Sequence, residues 1–124
     1  MSYNKLTYSG VTTITATNPD TVYTITPPSA AYGKLISLDT FIYIDGSSQE
    51  GSTIARYISL YILDNSGNPT QLNLDTLVEF QLFNTGYGPW SYSETISGTD
   101  ILLQVDASVG LGASNYIFTI NLEY

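Results

Sequence analysis

Apolar and polar positions alternate along most of the chain with a period of two, the spacing of strands that turn one face to a core. Between 34 and 45, Ile36, Leu38, Ile42 and Ile44 share one side, with Ser37, Asp39, Phe41 and Tyr43 on the other. Between 53 and 63, Ile54, Ile58, Leu60 and Ile62 share one side, with Tyr57, Ser59 and Tyr61 opposite. The scheme returns with Val78, Phe80 and Leu82, then Ile101, Leu103 and Val105, then Phe118, Ile120 and Leu122. The aliphatic side of each run is the expected core face. No segment carries a 3.6-residue period, and no repeat or low-complexity tract interrupts the pattern.

Turn chemistry separates these runs. Asn18-Pro19-Asp20, Pro27-Pro28-Ser29, Asp45-Gly46-Ser47-Ser48, Asn65-Ser66-Gly67-Asn68-Pro69, Asn84 to Pro89, Ser97-Gly98-Thr99 and Gly110 to Ser114 all read as turns or loops. The strands between them are expected at 4–8, 11–17, 21–26, 34–45, 53–63, 76–83, 90–96, 100–106 and 115–123. About eight short strands joined by loops describe an all-β, antiparallel β-sandwich, and the jelly roll is its eight-stranded form. The 124 residues suit one domain, 1–124, with 1–10 as an N-terminal arm or attachment segment.

The non-aliphatic faces depart from an ordinary wet sheet, which would carry charges. If the 34–45 and 53–63 strands pair, Phe41, Tyr43, Tyr57 and Tyr61 form an outer aromatic patch, with Ala55 and Leu63 between. A contiguous exposed apolar patch marks an interface, and tyrosine suits one because it buries area yet keeps a polar tip. Cross-strand tyrosine pairs that merely stabilise a sheet surface are the plainer explanation. On the interface reading, Tyr57→Asp with Tyr61→Asp would separate subunits and leave the sandwich folded.

Composition narrows the function classes. Charged residues are 11% of the chain and hydrophobic ones 43%, the difference being made up by Ser, Thr, Asn and Tyr. The net charge of −8 leaves Lys5, Lys34 and Arg56 as the only cations, too few for a nucleic-acid-binding stripe or for attraction to anionic lipid. No apolar run approaches the ~18 residues of a membrane span, so no membrane insertion is expected. With no Cys and no His, the chain lacks cysteine nucleophiles, the commonest general base and the commonest metal ligand, and neither an enzyme nor a cofactor is expected.

Two weaker constellations remain. The 84–92 loop gathers Tyr87, Trp90 and Tyr92 with two glycines, a set that could present rings to a host glycan; alternatively, Trp90 plugs the end of the core. Asp64-x-Ser66-x-Asn68 with Asp75 superficially follows a calcium-loop spacing, but Pro69 stands where such a loop needs glycine, and an Asx-rich hairpin turn explains the same residues. Asp45 and Glu50 in the 45–52 loop are weaker still. No metal is assigned.

Three segments carry a family resemblance: Gly33-Lys34-Leu35-Ile36-Ser37-Leu38-Asp39 opening a long strand, Ser97-Gly98-Thr99-Asp100-Ile101-Leu102-Leu103-Gln104-Val105, and the final Asn115 to Tyr124. With them the chain resembles the small β-sandwich modules of tailed-phage virions, namely capsid decoration proteins, head-fibre tips and receptor-binding heads. The resemblance spans roughly the last three quarters of the chain and rests on structural motifs. It implies a virion-surface protein assembled in the host cytoplasm, a homo-oligomer with a trimer favoured, and a virion protein or host-surface glycan as partner. Trimeric jelly rolls of the tumour-necrosis-factor type share the aromatic-rich last strand, and they point to the same threefold assembly. The resemblance carries over no catalytic or ligand residue.

Overall fold

The computed structural model describes residues 4–14, 20–45, 52–82, 90–107 and 114–124. Eight strands run in chain order: β1 (Lys5–Ile14), β2 (Asp20–Ile25), β3 (Leu35–Asp45), β4 (Ser52–Leu63), β5 (Pro69–Leu82), β6 (Trp90–Ser97), β7 (Asp100–Ala107) and β8 (Ser114–Glu123). They form two antiparallel sheets, β1-β8-β3-β4-β5 and β2-β7-β6, packed as a β-sandwich. The first and last strands pair in one sheet and the second and seventh in the other, as in a jelly roll. The middle differs: β3, β4 and β5 meander within one sheet, so the strands divide five to three.

From Lys5 onward, the expected arm is part of the fold. Residues 5–10 are the first half of β1, which runs through Gly10 and pairs with β8 over its whole length, from Lys5↔Glu123 to Ile14↔Ser114. Gly10 does not end the strand because its bare Cα leaves room for the Phe118 ring; a Cβ there would sit 3.0 Å from Phe118 Cζ. β5 likewise begins earlier than its alternation suggested, at Pro69, because two bulges opposite Arg56/Tyr57 and Leu60/Tyr61 interrupt its period of two.

The core lies between the sheets. Ile36, Leu38 and Ile42 of β3 and Phe118, Ile120 and Leu122 of β8 pack against Val22 and Ile25 of β2 and Ile101, Leu103 and Val105 of β7. All of these are buried, and each contributes about 1.5–3 kcal/mol of transfer free energy. The expected core faces of β3, β7 and β8 are therefore the observed ones for every described side chain.

β4 is reversed. Ala55, Tyr57, Ser59, Tyr61 and Leu63 are buried, Ile54 and Ile62 are exposed, and Ile58 and Leu60 are half-exposed. The expected placement of Tyr57 and Tyr61 on an outer face is thus overturned, as is the expected burial of the four aliphatics. Arg56 gives the reason. It shares a side with those aliphatics, and turning them inward would bury a guanidinium among them at a prohibitive desolvation cost. Val78, expected in the core, pairs with Arg56 and is exposed with it.

One end of the sandwich is closed by turns that need glycine. A single 3-10 turn at Ser29–Ala31 leads into Tyr32 and Gly33, whose N–H donates to the Asp64 carbonyl at 2.9 Å. Gly67 in the β4–β5 turn has φ +87°, and a Cβ there would lie 2.4 Å from the Tyr32 ring.

Candidate functional site

Strand register assembles the outer face of the larger sheet row by row. Val11, Ile117, Tyr43 and Ile54 are successive cross-strand neighbours in β1, β8, β3 and β4, with the backbone of Phe80 next in β5. The next row is Ser9, Thr119, Phe41, Arg56 and Val78, followed by Thr7, Asn121, Asp39, Ile58 and Asp75. Leu35 and Ile62 face each other at the far end. Of the ten exposed large hydrophobics among the described residues, seven lie on this face: Val11, Leu35, Phe41, Ile54, Ile62, Val78 and Ile117. A wet antiparallel face ordinarily reads as polar; this one is an apolar surface crossed by a polar band.

Charge on the face is almost balanced. Arg56 donates to Asp39 through Nε at 2.9 Å and Nη2 at 2.6 Å, a two-pronged pair that fixes both side chains. The bond and the charge of Asp39 push the already high guanidinium pKa higher still. Lys5 stands opposite Glu123 in the β1–β8 register. Two of the chain's three cations therefore sit on this face of a protein with net charge −8.

Phe41 and Tyr43 occupy the outer face as the alternation indicates, Phe41 being 41% exposed and Tyr43 half-buried. Tyr57 and Tyr61 instead reach the space between the sheets. The Tyr57 ring stacks on Tyr92 of β6 at 4.0 Å and 15°. Tyr61 donates its hydroxyl to Glu94 at 2.6 Å, Tyr92 donates to the other oxygen of Glu94 at 2.5 Å, and Gln71 donates to the Tyr61 oxygen at 3.0 Å. Burial, followed by the Glu94 charge, raises the pKa of both tyrosines well above the ordinary phenol range. The cluster ties β4 and β5 to β6 across the open edge of the sandwich. Beside it, the hydroxyls of Thr40 and Ser59 are buried with no hydrogen bond of normal geometry, although Thr40 faces the Tyr92 hydroxyl closely enough to favour its ionised form.

The glycan candidates separate. Tyr92 lies within β6, with its ring against Tyr57 and its hydroxyl on Glu94; Tyr87 and the Trp90 side chain lie outside the described residues. The calcium-like spacing resolves into a turn. Asp64 Oδ1 accepts from the N–H groups of Ser66 and Asn68 at 2.8 Å each, and Oδ2 accepts from the Asn68 amide at 3.0 Å. These bonds lower the Asp64 pKa, the Asn68 side chain contributing most. Asp75 stands further along β5 and accepts from Asn73. Of the 45–52 loop, residues 46–51 lie outside the described residues.

Alternation alone misses Val11, Ile54, Ile62, Val78 and Ile117. Alternation puts Ile54 on the core side, but the charge two residues on, at Arg56, marks that side as the wet one. Asp39 does the same for Phe41 and Tyr43. For Val11 and Ile117 the signal is pairing across more than one hundred residues, which no local window contains.

Neither a protein-family model nor a curated protein matches the chain. Among solved structures it is similar to the tailspike protein of Acinetobacter baumannii phage AM24, with a TM-score of 0.59 and 13% identity over 96% of this chain. The match covers 25% of the tailspike, so the chain corresponds to about a quarter of that protein's length. At this identity the likeness is one of fold.

Proposed function

We propose that the chain is a non-catalytic interaction module of a bacteriophage particle, held on the virion surface as a decoration or host-attachment head. The observation that carries this reading is the fold shared over 96% of the chain with part of a phage tailspike. The apolar outer face of the larger sheet supports it, since a surface of this kind is built to be covered. The absence of His and Cys argues against the acid–base and nucleophilic constellations an enzyme would need. A glycan-binding role gains nothing from Tyr92, whose ring and hydroxyl are both engaged within the sandwich.

Particles banded on a density gradient from the host that encodes the chain test the proposal by mass spectrometry. Peptides of this chain are expected in the particle band at constant ratio to the major capsid or tail proteins. Recovery only in the soluble lysate overturns the assignment.

A further inference from the structure

We infer that the outer face of the five-stranded sheet is covered by a second copy of this chain, face to face about a two-fold axis. The inference deepens the interaction-module reading by naming the partner of its main surface. Area is the first argument. Five strands about 4.8 Å apart and about ten residues long present roughly 800 Å², which is what each partner buries in a standard stable interface.

Charge is the second. Two copies of a −8 chain repel, and they can meet only where that charge is locally cancelled. Lys5 and Arg56 lie on this face, opposite Glu123 and paired with Asp39 respectively, and Asp75 is the one carboxylate left over, so the face is close to neutral on an acidic molecule. A cationic partner would instead be drawn to the remaining, uncompensated surface.

Symmetry is the third. A head-to-tail ring needs two different complementary patches. Outside this face, the exposed large hydrophobics among the described residues are Leu72 and Leu77, at the β5 bulges, and Ile96 on β6. These three are fewer than the seven of the face, and a two-fold contact, in which the face pairs with itself, needs no second patch. A flat sheet face does this by stacking on its twin at ~10 Å, an arrangement for two sheets and not three. The assembly inferred is therefore a dimer, in place of the threefold one that the resemblance implies.

Sedimentation equilibrium on the full chain at micromolar concentration is expected to give twice the 13.5 kDa chain mass. Ile54→Asp should raise the dissociation constant at least 100-fold while the circular dichroism and cooperative melting of the sandwich persist. Should that variant fail to fold, Val11→Lys on the edge strand β1, where the residue is 63% exposed, reads the same face. Ser93→Asp, on the outside of the smaller sheet, should leave the dimer unchanged. Raising NaCl from about 0.05 to about 0.5 M should tighten association, because it screens like charges and leaves apolar contact intact.

A monomer at these concentrations, a threefold mass, or a dimer indifferent to both face variants overturns the inference. Its fate is separable from that of the virion assignment: a monomer found on particles removes the dimer alone, and a dimer absent from particles removes the virion role alone.

Discussion

At the scale of single residues, much of the shape depends on groups that admit no other side chain. Gly67 is the clearest, since it combines φ +87° with a Tyr32 ring that occupies the place of a Cβ. Gly67→Ala would both force an L-residue into the left-handed region and push the ring off the β4–β5 turn. The expected cost is roughly 2–4 kcal/mol, read as a lowered urea midpoint at unchanged m. Gly98, at φ +61° in the β6–β7 turn, has open space where its Cβ would be, so it bears only the backbone part of that cost. Arg56 and Asp39 act differently. Their mutual bond is exposed and of small worth to stability, yet their charges decide which way two strands face.

At the scale of elements, β4 carries the lesson. Both its faces are apolar enough to bury, and hydrophobicity alone favours the aliphatic one. The tyrosine face wins because it can be satisfied inside: Tyr57 finds a stacking partner in Tyr92, and Tyr61 finds an acceptor in Glu94. The outcome of charging that face is reversed accordingly. Tyr61→Asp places a second carboxylate beside Glu94 in a buried site, costing several kcal/mol, and should abolish cooperative thermal unfolding. Ile62→Asp, one residue along and 45% exposed in the single chain, should weaken self-association but keep a cooperative melt of the sandwich. If Tyr61→Asp melts like the parent, Tyr61 faces water and the observed strand orientation is wrong.

At the scale of the whole molecule, the two sheets are joined by apolar packing and by a polar tie whose donors must stay protonated. Tyr61 and Tyr92 have pKa values raised above the ordinary phenol value by burial and by Glu94. In the unfolded chain both titrate near pH 10. Below that pH the two states hold the same protons and the stabilisation is complete. Above it the unfolded state loses protons first, and stability falls as pH rises, by up to about 1.4 kcal/mol per pH unit for each tyrosine. Urea midpoints should be flat from pH 8 to near 10 and then decline, and Tyr61→Phe should make the decline shallower. An equally steep decline in Tyr61→Phe would dissociate Tyr61 from the effect.

What the residues alone determined was the class of fold and most of its punctuation. Period-two alternation requires strands, the absence of a 3.6 period excludes long helices, and Asn, Gly and Pro clusters mark where the strands stop. The inward faces of β3, β7 and β8 were legible because each has one clearly aliphatic side. Phe41 and Tyr43 were legible as outward for the same reason. The tertiary structure alone decided the five-to-three division of strands, the union of residues 5–14 into one edge strand, and the direction of β4. Each of these depends on partners far away in the chain: β8 for β1, and Tyr92 and Glu94 for Tyr57 and Tyr61. Alternation says that two faces differ; only the neighbours that satisfy them say which one is inside.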